Sequence, residues 1–277
     1  SSEENVIATT IGLVDSTYAN GQDAFLVKFD PDGQRMWGTY FGGANDDYFV
    51  SCAVRGGDLV AAGTSNSPDL GTSGTQQPNF AYSTEGDALL VKFNPDNGSR
   101  IWATYYGRVW IDIGKSCAID PWGFIYMAGE SETVGTLGGS DTIAYDGFQM
   151  QMNSLKNGFL AKFDADGSRE WGTYYGGYNP YSVGFCTDVA TDPFGNVVVF
   201  GACGYNANDA DTYVSSGAHH ETHGSTIQPP GTGGDAYVAK FDSAGVRLWG
   251  TYYGGASNEN VWTGTIDSAG NIYVAGE

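Results

Sequence analysis

Hydrophobic and polar residues alternate with period two over short stretches of this chain. Phe25, Val27 and Phe29 interleave with Leu26 and Lys28, a run of β-forming residues with the spacing of a strand. Asp30-Pro31-Asp32-Gly33 follows, a type I turn closing on Gly, before a second β-rich run through Trp37. Strand, short turn and strand predict a hairpin. Nothing of helical period and length appears between such runs.

The hairpin is repeated. DAFLVKFDPDGQRMWGTYFGG at 23–43 recurs as DALLVKFNPDNGSRIWATYYG at 87–107, GFLAKFDADGSREWGTYYGG at 158–177 and DAYVAKFDSAGVRLWGTYYGG at 235–255. A second block follows each: SCAVRGGDLVAAG at 51–63, SCAIDPWGFIYMAG at 116–129, VATDPFGNVVVFG at 189–201 and GTIDSAGNIYVAG at 264–276. The repeated Trp37, Trp102, Trp171 and Trp249 are 65, 69 and 78 residues apart, and the growth lies between the blocks. Four short strands per copy predict an all-β chain, a β-propeller of four-stranded antiparallel blades with four repeats at approximately 1–63, 64–129, 130–201 and 202–277. The chain is read as one propeller domain or a segment of one.

Within a blade the small-residue strand of Cys52, Cys117 and Gly264 is expected innermost. The GNIYVAG, DAFLVKF and WGTYYGG strands follow outward in chain order. Alternate connections of such a meander emerge on opposite faces. One face therefore receives the tight Asp-x-x-Gly turns, and the other every long insertion, 64–86, 130–157 and 202–234, with 1–22 leading in. Lys28, Lys92, Lys162 and Lys240 share one repeat position, and Arg35, Arg100, Arg169 and Arg247 another. Both read as scaffold, the ammonium groups paired with Asp30, Asp164 and Asp242 two residues on. The four Trp are expected to pack between blades.

DAFLVKFDPDG, WGTYYGG and GNIYVAG, with the inserted SSGAHHETHG, resemble the SBBP family, the β-propeller repeat of bacterial secreted and surface proteins. The resemblance covers about two thirds of the chain. It implies a propeller fold, export to the extracellular space or cell surface, and seven blades, so that the four repeats read as a segment of a larger propeller, with a four-blade ring as the alternative. It implies no shared activity.

Composition narrows the function. Twelve Lys and Arg against 32 Asp and Glu give a net charge of −20, which repels nucleic acid and anionic lipid. Glycine, at 42 of 277 residues, is abundant, and aromatics reach 14%; the first supplies turns and the second a core. No run of apolar residues is long enough to cross a membrane as a helix, no charged-then-apolar leader is read within the chain, and its start at Ser1 without Met suggests a processed or excerpted chain. No cofactor is implied.

All three histidines, His219, His220 and His223, fall in Gly217–His223. They are close enough in sequence to chelate a metal, but the spacing is not that of HExxH and a polar loop accounts for them. The Asp-x-Asp-Gly runs at 30–33 and 164–167 lack the further ligands of a calcium loop. No metal site is assigned. Asp112, Asp188 and Glu259 lie near the loops entering the inner strands, where a pair of carboxylates could act on a glycosidic bond. Trp110, Tyr178, Tyr181 and Trp262 are candidate sugar-stacking aromatics on the same rim. Tyr205, Tyr213 and the histidines, with Asp209 and Asp211, make 202–234 the foremost candidate for contacting a partner. Its replacement over 207–230 is expected to leave stability unchanged. The function expected is therefore a non-catalytic scaffold, adhesion or ligand-binding module, with a protein or glycan partner at the long-loop face and further repeats of the same parent protein as neighbours. The alternative is a propeller that binds or cleaves glycans with loop carboxylates and aromatics.

Cys186 and Cys203 sum to the register of the Asp192-Pro193-Phe194-Gly195 hairpin within one residue, which makes them a candidate disulfide if a bulge brings their Cβ atoms to one face. Cys52 and Cys117 are expected to be free, buried thiols. Asp15-Ser16-Thr17, Asp141-Thr142-Ile143, Asp242-Ser243-Ala244 and Asp267-Ser268-Ala269 resemble a short acceptor motif of bacterial O-glycosylation.

Overall fold

A computed structural model describes residues 21–81, 86–133, 143–152, 154–177, 183–204, 213–224 and 234–277. Sixteen strands follow the two blocks of each repeat. They are β1 (Ala24–Phe29), β2 (Arg35–Phe41), β3 (Asp47–Arg55), β4 (Asp58–Ser65), β5 (Asp87–Phe93), β6 (Arg100–Tyr106), β7 (Asp112–Ile119) and β8 (Ile125–Glu132) in the first half. The second half holds β9 (Lys156–Phe163), β10 (Arg169–Tyr175), β11 (Gly184–Thr191), β12 (Val197–Gly204), β13 (Gly234–Phe241), β14 (Arg247–Tyr253), β15 (Val261–Ile266) and β16 (Ile272–Gly276).

Three antiparallel sheets take four strands each in chain order, β3 to β6, β7 to β10 and β11 to β14. Each sheet joins the second block of one repeat to the first block of the next. The strand order is the one the sequence predicts. At the two ends stand half-sheets, β1–β2 and β15–β16, which are not joined to one another. The first strands β3, β7, β11 and β15 lie side by side along the array.

The core lies between successive sheets. Val60 and Leu90 of one sheet pack with Met127, Phe159 and Phe163 of the next, and Tyr126 and Leu160 with Val199, Tyr237 and Phe241 beyond. Fully burying a side chain of this size contributes roughly 1.5–3 kcal/mol, so each sheet is stabilised chiefly by its neighbours.

The repeated polar positions stitch the sheets together. Lys92 Nζ and Trp102 Nε1 both donate to the carbonyl of Ala165 in the next sheet's turn, at 3.2 and 2.9 Å. Lys162 and Trp171 treat Ser243 in the same way, and Lys28 and Trp37 treat Pro95. The expected Lys partners are corrected here. Lys92 pairs with Asp58 and Lys240 with Asp192, each at 2.7 Å, from the neighbouring strand or turn of the same sheet. Lys162 sits 3.8 Å from the Phe124 ring centre. Asp30, Asp164 and Asp242 instead cap their own turns, each Oδ1 accepting two backbone N–H groups. A carboxylate at the first position of a tight turn is spent on that turn.

Every first strand carries a bulge at one position, leaving Val50, Lys115, Thr187 and Trp262 unpaired. Opposite lies the glycine that ends the second block. A Cβ at Gly63, Gly129, Gly201 or Gly276 would collide with the carbonyl oxygen of Tyr48, Ile113, Phe185 or Asn260. This close approach is why each copy of the GNIYVAG block ends in Gly.

The turn glycines give a test of the stacking. Gly33 and Gly98 have φ of +78° and +74°, so alanine strains both backbones, but a Cβ at Gly98 would also lie 2.7 Å from the Trp37 ring while Gly33 has nothing within 4 Å. Gly98→Ala is expected to cost about 1–3 kcal/mol more than Gly33→Ala, the difference being overpacking against Trp37. Equal losses in urea unfolding would show that the indole yields freely.

Candidate functional site

Antiparallel order sends alternate connections to opposite ends of the sheets. One end receives only short turns, and the residues closing them, Gly33, Gly57, Gly98, Gly123, Gly167, Gly195, Gly245 and Gly270, all have positive φ. The other end receives the connections β4–β5, β8–β9 and β12–β13 that hold the long insertions.

These insertions carry a third repeated block that the sequence reading missed. After leaving the sheet, each doubles back along the outer strand. Thr72 N donates to Ala103 O at 2.8 Å and Tyr105 N to Gln77 O at 3.0 Å along β6. Tyr145 pairs with Gly172, and Tyr174 N donates to Gln149 O, along β10; Ser215 N donates to Gly250 O, and Tyr252 N to His220 O, along β14. The same threonine position receives each segment, with Gln77 N, Gln149 N and His220 N donating to the Oγ1 of Thr104, Thr173 and Thr251. Arg100 and Arg169 donate to Leu70 O and Ile143 O at the head of their segments, which accounts for two of the four repeated Arg. These covers occupy backbone groups that an outer strand would otherwise leave open.

Paired acids line the same end. Asp87 begins β5, Asp112 begins β7, and a Cβ at Gly107 would lie 3.0 and 2.8 Å from their Oδ1 and Oδ2 atoms. Asp23 and Asp47 flank Gly42, and Asp235 and Glu259 flank Gly254, in the same relation. Asp47, Asp112 and Glu259 each accept the backbone N–H four residues earlier, from Gly43, Arg108 and Gly255. Asn157 and Gly184 replace the acids in the third copy. Burial pushes the Asp87 and Asp112 carboxyls up to about 7, with Asp87 adding repulsion at Asp112. Burial also raises Asp47 against the pull of Ser65, Ser67 and Gly43.

The three acids proposed from sequence therefore have separate duties. Asp112 belongs to the Asp87 pair and Glu259 to the Asp235 pair. Asp188 bridges first strands, with Oδ1 accepting from Ser116 and Oδ2 from Thr263 and Gly264. The structure does not bring the three into one cleft.

The aromatic and histidine candidates are dispersed. Trp110, in the β6–β7 connection, and Trp262, at the bulge of β15, are exposed. His219 is exposed and His220 half-buried. His223 turns inward, its Nδ1 3.5 Å from Asp235 Oδ1 and its ring against Tyr252. Among the described residues no group of three His, Cys, Asp or Glu side chains is placed to hold a metal. Tyr213 is buried among Tyr175, Tyr237 and Tyr252; it is core, and its placement as a surface contact is corrected. Tyr178, Tyr181 and Tyr205, with Asp209, Asp211 and the acceptor motifs at 15–17 and 141–142, lie outside the described residues. Sequence reasoning passed over Trp122 and Phe194, exposed at equivalent turn tips on the opposite end.

The candidate disulfide is also corrected. Cys186 faces Gly201 and Cys203 faces Gly184, two pairs apart in the register, and both thiols are free. Cys186 Sγ lies 3.1 Å from Tyr237 Oη, and burial pushes its thiol up to about 12. Cys117 is buried as expected, but Cys52 is exposed: among the described residues β3 has a first strand, β7, packed on one side alone.

No family model matches the chain, and no curated protein matches it.

Proposed function

We propose that the sheets are blades of a β-propeller and that the protein is a non-catalytic, secreted or cell-surface module, a scaffold or adhesion surface whose long-connection end meets a protein or glycan. The observation that carries this reading is the segregation of connections. One end is closed by uniform glycine turns, while the length and sequence differences between copies leave from the other, which is where specificity is built on a rigid scaffold. The likeness of the repeats to the SBBP family supports export and a bacterial surface setting.

A glycan partner is favoured within this reading by the exposed indole of Trp110 at the same end, since a flat apolar ring stacks on sugar faces. Cleavage is disfavoured, because Asp112, Asp188 and Glu259 are each held by backbone or neighbouring side chains in separate places.

A glycan array read beside a hydrolysis screen tests the proposal. Binding without turnover is expected, abolished by Trp110→Ala combined with a Gly/Ser linker in place of 225–233, and indifferent to Trp122→Ala with Phe194→Ala. Binding that survives the first set and is lost with the second would place function on the glycine-turn end and overturn the reading.

A further inference from the structure

We infer that Asp87 and Asp112 hold a calcium ion between them, beside Gly107, where a side chain would otherwise stand.

The two carboxylates converge from different sheets. Asp87 opens β5 and Asp112 opens β7, yet Asp87 Oδ1 and Asp112 Oδ2 stand 3.0 and 2.8 Å from one point, the place of a Cβ on Gly107. Both residues are 0% exposed. Asp87 Oδ2 accepts from Ala81 N at 2.7 Å and from Gln77 Nε2 at 3.4 Å, and Asp112 Oδ2 accepts from Arg108 N at 2.6 Å. Asp87 Oδ1, aimed at the shared point, accepts no hydrogen bond. Among the described residues no Lys, Arg or His lies within salt-bridge distance of either acid.

Neutral N–H donors do not cancel the charge of two buried carboxylates; a cationic side chain, a metal or protons must. The third and fourth copies meet the same problem from within the chain. Asn157 and Gly184 stand at the two positions in the third, and neither carries a charge. In the fourth, His223 Nδ1 lies 3.5 Å from Asp235 Oδ1. The Asp87–Asp112 pair has neither remedy, so its counter-charge comes from solution. Without a metal, protons are left to meet it, as the raised Asp87 and Asp112 carboxyls record.

The donors select the ion. All are oxygens, which suit hard cations and not the softer metals that favour Cys or His. Gln77 stands with the acids where a third carboxylate does not: its Oε1 accepts from Gly107 N at 3.1 Å while its Nε2 donates to Asp87. Ca²⁺ accepts such a mixed, irregular set, with water completing roughly six to eight oxygens, whereas Mg²⁺ demands an octahedron and parts reluctantly with its water. So few protein donors make a weak site, with Kd about 10⁻⁴–10⁻³ M. The site rests on the geometry of the pair and not on the adhesion reading, so its failure leaves that reading standing.

Thermal unfolding of the 277-residue chain at pH 8, first in chelator and then in rising Ca²⁺, tests the site. The midpoint is expected to climb once Ca²⁺ passes about 1 mM, and to climb less in Mg²⁺. Asp87→Asn with Asp112→Asn is expected to lose that response. Asp96→Asn with Asp166→Asn, which takes the same two charges from exposed turns, is expected to keep it. Should the first variant fail to fold, Tb³⁺ supplies a second readout: its emission, excited through neighbouring tyrosine, is expected to be displaced by millimolar Ca²⁺ from the unaltered chain and from the exposed-turn variant alike. A midpoint indifferent to Ca²⁺, an equal rise in Mg²⁺, or a response that both variants keep or both lose overturns the inference. So does Tb³⁺ emission that Ca²⁺ leaves in place.

Discussion

Tyr213→Ala is expected to destabilise the chain by about 3–5 kcal/mol, the usual cost of removing a large buried aromatic. The ring is 1% exposed and touches Tyr175, Tyr237 and Tyr252, all fully or almost fully buried. It also heads the segment that covers β14, and its carbonyl accepts the Tyr175 hydroxyl at 2.7 Å. The sequence reading expected the reverse, that replacing 207–230 would leave stability untouched. Chemical unfolding decides between them, and a loss below about 1 kcal/mol would show that the tyrosine cluster closes over the gap.

Stability is expected to fall as pH rises from about 4 to about 7 and to level off above. Asp87 and Asp112 hold protons up to about 7 in the folded chain, whereas an unfolded carboxyl releases its proton near 3.9. Through that window the folded state binds more protons than the unfolded state, so each step upward in pH favours unfolding. One such group corresponds to about 4 kcal/mol. The two repel one another, so a total near that of a single group is expected. Asp192 acts with the opposite sign. The Lys240 ammonium and the Asn196 side chain overcome burial to hold it below the ordinary range, and its contribution is lost only below about pH 4. Urea unfolding at pH 5 and pH 8 measures the effect, and Asp112→Asn is expected to flatten it. A chain as stable at pH 8 as at pH 5 would remove the buried pair as a proton-binding element.

What the sequence made legible was whatever repeats as a string. The strands, their order, the turn glycines and the Trp positions follow from blocks with nearly fixed spacing. The covers escaped notice because they bond through the backbone. Leu70, Ile143 and Tyr213 head them in three different side chains, and the step from Thr72 to Gln77 is a residue longer than that from Tyr145 to Gln149. The acid pairs escaped for another reason: Asp87 and Asp112 stand 25 positions apart, in different blocks and different sheets. Lys240 was assigned to Asp242 because nearness in sequence was taken for nearness in space. Its true partner, Asp192, is 48 residues earlier.

The bulge in each first strand has a consequence for how such a protein can change. A residue that takes no part in the ladder sets no register, so its replacement shifts no neighbour. The four occupants of that site, Val50, Lys115, Thr187 and Trp262, are an aliphatic, a cation, a hydroxyl and an indole, borne on strands that lie side by side. Selection, or a combinatorial library, can rewrite that row of four side chains one at a time while the framework beneath them remains constant.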